Sequence, residues 1–415
     1  MLKRKWVSVA LVMASAVLMT GCAAEKKEET SATENGVKEL EFFQMKVEAV
    51  DHFGKLISKF EEQHPDIKIV QNTVPDAETV LMTRMASDQV PDLFTHYPLD
   101  PTFREQVKEG YILDISDLKG LKNVRSDILE MEQLDGKIYA LPMTLSIMGM
   151  YYNEAIFEKA GVEIPQNVEE LYDVCEKLKT AGVIPMVFPD KDSWTVKQFV
   201  DSLSTTFLED PETTFQNIAQ DKVTNEEKEQ ILQMGHLMVK LHEYAQPDFL
   251  GTGYEQAITE FANENAAMFY QGIWAYPEIK KANPDMKIAM FPLIGGEFDN
   301  IGINIDCAVA VSASTKYPEE ARMFLDFLAE QENAQFFSDA DGTPSVMNET
   351  AYNAPGFLDT YQMVLDGKGE SLASNQWPAN FGGQYAGICQ KLISSGDVNT
   401  WYQELEGLIK DTYNK

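Results

Sequence analysis

The chain has 415 residues, 44% hydrophobic and 10% aromatic, enough apolar material for two lobes of roughly 150–200 residues and too much for a disordered chain. Its formal net charge of -32 comes with no compact basic stretch, and such a field repels phosphate backbones, so nucleic acid is excluded as a partner class.

The N-terminus carries the most specific local signal. Lys3-Arg4-Lys5 is a positive start, Trp6 to Met19 an apolar run, and Thr20-Gly21-Cys22 follows. The run is shorter than the roughly 20 residues a membrane span needs, so it reads as a secretory signal. The cysteine placement resembles a bacterial lipobox, which implies cleavage after residue 21 and diacylglycerol on Cys22; Met19 stands where that pattern usually has Leu, Val or Ile. An uncleaved anchor or an ordinary signal peptide is the alternative. Residues 22–36 are polar and suit a solvated tether. Cys175, Cys307 and Cys389 are odd in number and widely spaced, and read as buried apolar residues outside any disulfide or metal site.

Val37 to Phe43 predicts a first strand. From Asp51, the expected N-cap, to Gln63 the apolar residues Phe53, Leu56, Ile57 and Phe60 recur at helical spacing. Ile67 to Val74 predicts a second strand, Ala77 to Ser87 a second helix, and Pro91 to Phe94 the start of a third strand. This β-α-β-α-β order predicts a parallel sheet covered by helices, with ligand beyond the carboxyl ends of its strands, at Gln44 to Glu48 and Thr95 to Tyr97. Further on, helices are expected at Val168 to Thr180, Asn225 to Tyr244 and Pro318 to Glu330. Strands are expected at Ile184 to Phe188, Ala266 to Phe269, Ile288 to Phe291 and Ala308 to Val311. Asp339-Ala340-Asp341-Gly342 mimics the start of a calcium loop without its later acidic ligand, and reads as a turn.

Pro142-Met143-Thr144, Gly149-Met150-Tyr151-Tyr152-Asn153 and Phe157-Glu158-Lys159, taken together, resemble the signature of the family 1 extracellular solute-binding proteins. Phe60 to Ile67, Ala266 to Trp274 and Ala310 to Phe327 are similar to other segments of that family. The resemblance implies an α/β, two-lobed periplasmic-binding-protein-like fold with a hinge and a ligand cleft between the lobes. It places residues 37–145 plus 305–345 in lobe 1 and 146–304 plus 346–415 in lobe 2. It further implies a monomer, no cofactor, no catalysis, and handover of the ligand to an ABC permease at the extracytoplasmic face of the membrane.

A sugar ring has an apolar C–H face and a rim of hydroxyls, so its site needs flat aromatics beside short polar groups, and each buried polar group left unpaired costs roughly 1–3 kcal/mol. Trp194 in a polar loop, Trp274 after Gly272, and Trp377 between amides are the expected stacking residues, with Tyr270 nearby. Gln44, Lys46 and Glu48 after the first strand, His96 and Tyr97 after the third, Asn304 and Asp306 near a crossing between lobes, and Asn375 are the expected rim partners. Trp401 reads as core, and the histidines other than His96 as structural. These loops look closest to binders of α-galactosides, xylo-oligosaccharides or maltose-like glucans. Three rivals remain at this point: a binder of polyamine, peptide or metal ion, since aromatic boxes also hold cations; a lipid-anchored glycoside hydrolase, for which no carboxylate pair stands out; and a sensor subunit that presents its ligand to a membrane receptor.

Overall fold

The computed structural model describes residues 36–75, 77–378 and 380–414. The expected signal, Cys22 and nearly all of the tether lie outside the described residues. Strand β1 (Lys38–Gln44), β2 (Ile67–Thr73) and β3 (Leu93–His96) alternate with helices Val50–Gln63 and Ala77–Ala86. Then follow β4 (Ala140–Asn153), β5 (Ile184–Val187), β6 (Ala266–Gly272), β7 (Ile288–Phe291), β8 (Ile301–Val311) and β9 (Gly369–Ser371). The strand order is β2-β1-β3-β8-β4-β6-β5, with β7 on β4 and β9 on β8. β1 runs parallel to β2 and β3, as the βαβ reading requires, whereas β8 is antiparallel to both β3 and β4.

β4 is the element that makes two lobes out of this path. Its residues Ala140 to Ile147 pair with β8, and Met148 to Tyr152 pair with β6. The buried core divides at the same place. Ile147 belongs to the buried cluster that includes Leu40, Phe42, Phe94, Val309 and Phe324, while Met148 belongs to the one that includes Phe199, Met268, Phe381 and Trp401. A third cluster around Tyr151, Phe261, Phe269 and Phe357 extends the second lobe. β4 is buried almost throughout because helices and strands cover both of its faces, and its near-continuous apolar sequence follows from that.

Several local expectations need correction. The first helix starts at Val50 behind a single 3-10 turn, Val47–Ala49; Ala49 is its N-cap, and Asp51 lies inside the first turn, where a carboxylate favours the positive end of the helix. The strand expected at 308–311 begins seven residues earlier, at Ile301, and the polar Asn304 and Asp306 hid that extension by interrupting the apolar run. Trp194 lies inside the helix Ser193–Phe207, at its second residue, and not in a loop. Asp339 to Asp341 close the helix Gln331–Asp341, which Gly342 ends with a left-handed φ of 73°. Cys175, Cys307 and Cys389 are free and buried. Among the described residues no helix is long and apolar enough to cross a membrane.

Candidate functional site: the cleft at the crossing strands

The cleft has its floor where the long strands cross. Side chains alternate along a strand, so Ser146 and Met148 of β4 and Asn304 and Asp306 of β8 face the cleft, while Ile147 and Ile303 are buried in the first-lobe core. Ser146 lies opposite Asn304 in the ladder and donates to its carbonyl. The cavity measures about 430 Å³, within the roughly 300–1,000 Å³ of small-molecule sites.

The first-lobe wall is built from the ends of β1 and β3, tied together by the Met45 amide donating to the Thr95 hydroxyl at 2.7 Å. Lys46 turns inward. Its ammonium is paired with Asp306 and also lies 2.9 Å from Asp341. Burial pushes its pKa down, but the two carboxylates push it up by more, so it stays charged. Burial raises Asp306, and Lys46 only partly offsets this with Asp341 close by. Asp341 also accepts from the Thr343 hydroxyl. His96 lies beside them with Nδ1 accepting from the Tyr97 amide at 2.8 Å. Burial holds its imidazole down at about 4, so the ring is neutral at pH 7. Glu48, Tyr97 and Asp100 complete this wall.

The second-lobe wall is aromatic. Trp194 and Trp274 have ring centroids 6.5 Å apart, and Tyr254 meets Trp194 edge-on at 5.0 Å. Trp274 owes its position to Gly272, where a Cβ would lie 1.8 Å from the indole Cζ3. The Tyr254 amide donates to Asp192 at 2.7 Å, which ties two distant segments into one surface. Behind Trp194, His242 Nε2 lies 2.8 Å from Asp190 and Nδ1 lies 2.6 Å from the Met238 carbonyl, with the ring stacked on Phe188. The partner of His242 is 52 residues away in the chain, beyond the reach of any spacing rule. Asn375 Nδ2 reaches both Asn304 and Ser371, joining the 371–375 segment to the floor.

Of the residues expected from sequence, the cleft gathers Lys46, Glu48, His96, Tyr97, Trp194, Trp274, Asn304, Asp306 and Asn375. Three others lie elsewhere. Trp377 is 3% exposed and stacked on Phe215 inside the second-lobe core, because its large ring gains more from burial than its amide neighbours suggested. Tyr270 points into that core, its hydroxyl donating to the Gln198 carbonyl at 3.4 Å. Gln44 ends β1 with its side chain wholly buried and outside the lining.

Sequence reasoning missed Lys197, Gln198 and Tyr254, all of which line the cleft. Lys197 and Gln198 follow Trp194 by three and four residues, the spacing that shares a helix face, and would have been found had that segment been read as a helix. Tyr254 carries no local signal, since Asp192 positions it from afar. Gln198 Oε1 is buried without a hydrogen-bond partner in the protein.

Two α/β lobes joined by crossing strands, with an aromatic and polar cleft at the crossing, define a hinged solute-capturing protein. Residues 38–335 match the bacterial extracellular solute-binding protein family, and the chain belongs to it. Among its relatives, the multiple sugar-binding protein of Streptococcus mutans is 29% identical over 351 residues, covering 80% of each chain. The melibiose/raffinose/stachyose-binding protein MelE of Bacillus subtilis is 24% identical, covering 79% of this chain and 78% of the relative. Among solved structures, RafE in complex with raffinose superposes with a TM-score of 0.81 at 24% identity, over 90% of this chain and 99% of RafE. A sugar transporter from Bacillus licheniformis in complex with stachyose gives 0.73 at 21% identity, over 91% of this chain and 99% of that protein. At these identities the two structures speak for the fold.

Proposed function

We propose that the chain is a lipid-anchored extracytoplasmic protein that captures an oligosaccharide in this cleft and delivers it to an ABC permease. The observation that carries this reading is the division of labour inside one cavity. Trp194, Trp274 and Tyr254 present aromatic faces for the C–H side of a sugar, while Glu48, Asn304, Asp306 and Asn375 present acceptors and donors for its hydroxyls. The sugars in the relatives' names support the choice of an oligosaccharide, with the raffinose series first. The proposed lobes are about 37–145 plus 305–345 and 146–304 plus 346–415, but the buried cores divide at Ile147/Met148, with Ile301, Ile303, Val346 and Met347 in the first-lobe cluster, so the boundaries in β4, in β8 and after 345 shift by a few residues toward a larger first lobe. Closure is then a hinge motion of these lobes about β4 and β8. The anchor is Cys22, the working form is a monomer, and no bond of the ligand is broken.

The test is thermal unfolding of the chain without its first 22 residues, against raffinose, stachyose, xylo- and malto-oligosaccharides, spermidine and a peptide mixture. A ligand that binds only the native state raises the melting temperature by mass action. A rise with one glycan series, without its hydrolysis, is the expected result. A rise with spermidine or peptides alone overturns the choice of ligand, and release of reducing ends overturns the capture mechanism.

A further inference from the structure

We propose that the fixed charge of the cleft makes it a filter, retaining glycans without anionic groups and rejecting those that carry a carboxylate or sulfate. The inference rests on the reading of the cleft as an oligosaccharide site and names which oligosaccharides enter it. Among the described residues lining the cavity, Glu48, Glu78, Asp100 and Asp306 carry carboxylates, and the ammonium groups are those of Lys46 and Lys197. Two ammonium groups and a histidine beside a sugar rim could in principle welcome a uronate, yet neither Lys46 nor His96 is free to do so.

Lys46 is 5% exposed and is held between Asp306 and Asp341, which itself is 1% exposed. One ammonium between two carboxylates leaves this buried group with a net negative charge, and of the two carboxylates Asp306 lines the cavity. His96 is buried with Nδ1 occupied as an acceptor, so the ring is neutral near pH 7 and supplies no positive charge. That leaves Lys197, on the helix Ser193–Phe207 of the opposite wall. One turn further along the same helix, buried Asp201 lies close enough to interact with Lys197 electrostatically, which reduces the field it sends into the cleft. Glu48, on the first-lobe wall, adds a further carboxylate to the lining. An anionic sugar entering this space loses its hydration and meets like charge at short range, the arrangement by which interfaces exclude wrong partners. The net charge of -32 on the whole chain repels such a ligand before it arrives.

The experiment compares three probes by calorimetry at low and high ionic strength: raffinose, raffinose whose galactose C6 has been oxidised to the carboxylate, and the corresponding C6 carboxamide. The amide matches the acid in shape and lacks its charge. The expected result is an acid bound at least about tenfold more weakly than the amide at low salt, with the gap narrowing as salt screens it. In the double variant Glu48→Gln, Asp100→Asn the acid should gain several-fold relative to the amide; Asn at 100 retains the acceptor that caps the helix Pro101–Lys108. An acid within about threefold of the amide overturns the filter, and so does rejection of both derivatives while raffinose binds, because the loss then follows shape. Failure of raffinose and stachyose alike defeats the oligosaccharide reading itself, a result distinguishable from the other two.

Discussion

On the first-lobe wall the polar groups are largely occupied with one another: Lys46 is held by Asp306 and Asp341, and Asp341 by Thr343. On the second-lobe wall Trp194 is 39% exposed, and Tyr254 meets it edge-on. One wall is thus an ionic structure held largely by its own contacts, which offers a ligand a few fixed acceptors, and the other presents an exposed aromatic ring to the ligand. The difference teaches that exposure and partnering separate residues that hold the site in shape from residues that hold the ligand, even where all of them border one cavity.

The sharpest break is at Lys46. Lys46→Met removes the ammonium and leaves two buried carboxylates facing each other, so the chain should lose about 3–5 kcal/mol of stability. Denaturant midpoints check this, and the triple variant Lys46→Met, Asp306→Asn, Asp341→Asn should recover part of it. A Lys46→Met variant that is as stable as the parent and merely binds sugar poorly would make Lys46 a ligand contact and dissolve the contrast. Trp377→Ala should cost a similar amount, about 3–5 kcal/mol, as a large cavity in the second-lobe core.

Asp201, beneath the 373–375 turn of the second lobe, sharpens the comparison through pH. Burial raises its carboxyl to about 6, although both oxygens accept from the Ser374 amide at 3.2 Å. Its pKa in the unfolded chain is near 3.8, so between pH 4 and 6 the native state binds more protons than the unfolded one. Stability from this group is therefore greatest below pH 4 and declines as pH rises to about 6, by up to about 3 kcal/mol. Urea unfolding of the parent and Asp201→Asn from pH 4 to 7 should show the parent losing ground to the variant by that amount. Parallel curves would remove Asp201 from the account.

The sequence made the first sheet legible because β1 to β3 are short, apolar and separated by amphipathic helices, and periodicity reads those directly. It made the crossing legible only by resemblance: β4 is apolar on both faces, so it has no alternation, and β8 is interrupted by Asn304 and Asp306. Site residues at strand ends, such as Glu48 and Tyr97, followed from where parallel sheets bind ligands. The tryptophans did not separate, since local composition surrounds Trp194 and Trp377 with similar polar neighbours, and only the packing of Phe215 and Phe381 around Trp377 tells them apart. The Lys46 pairing was illegible because its partners lie 260 and 295 residues away.

On the aromatic wall the effects should be smaller and fall on affinity. Trp194→Ala removes a half-exposed ring, so sugar binding should weaken by about 1–3 kcal/mol while the melting temperature hardly moves. A variant that unfolds early but binds normally would place Trp194 with the core residues.

Gly272→Ala is the mildest test and the most discriminating. The backbone at Gly272 is extended, with φ -75° and ψ 163°, so alanine adds no torsional strain there. The obstacle is the Trp274 indole, 1.8 Å from the new Cβ, and a ring at a cleft margin can swing away where a core ring cannot. Affinity should therefore fall by about 1 kcal/mol, less than for outright loss of a stacking ring, with unfolding nearly unchanged. Calorimetry of Gly272→Ala beside Trp274→Ala, and beside the double variant, reads this directly: once the indole is gone the methyl group should add no further loss. An additive double variant would mean that Gly272 serves the fold by another route, and that the Trp274 face is not what the glycine preserves.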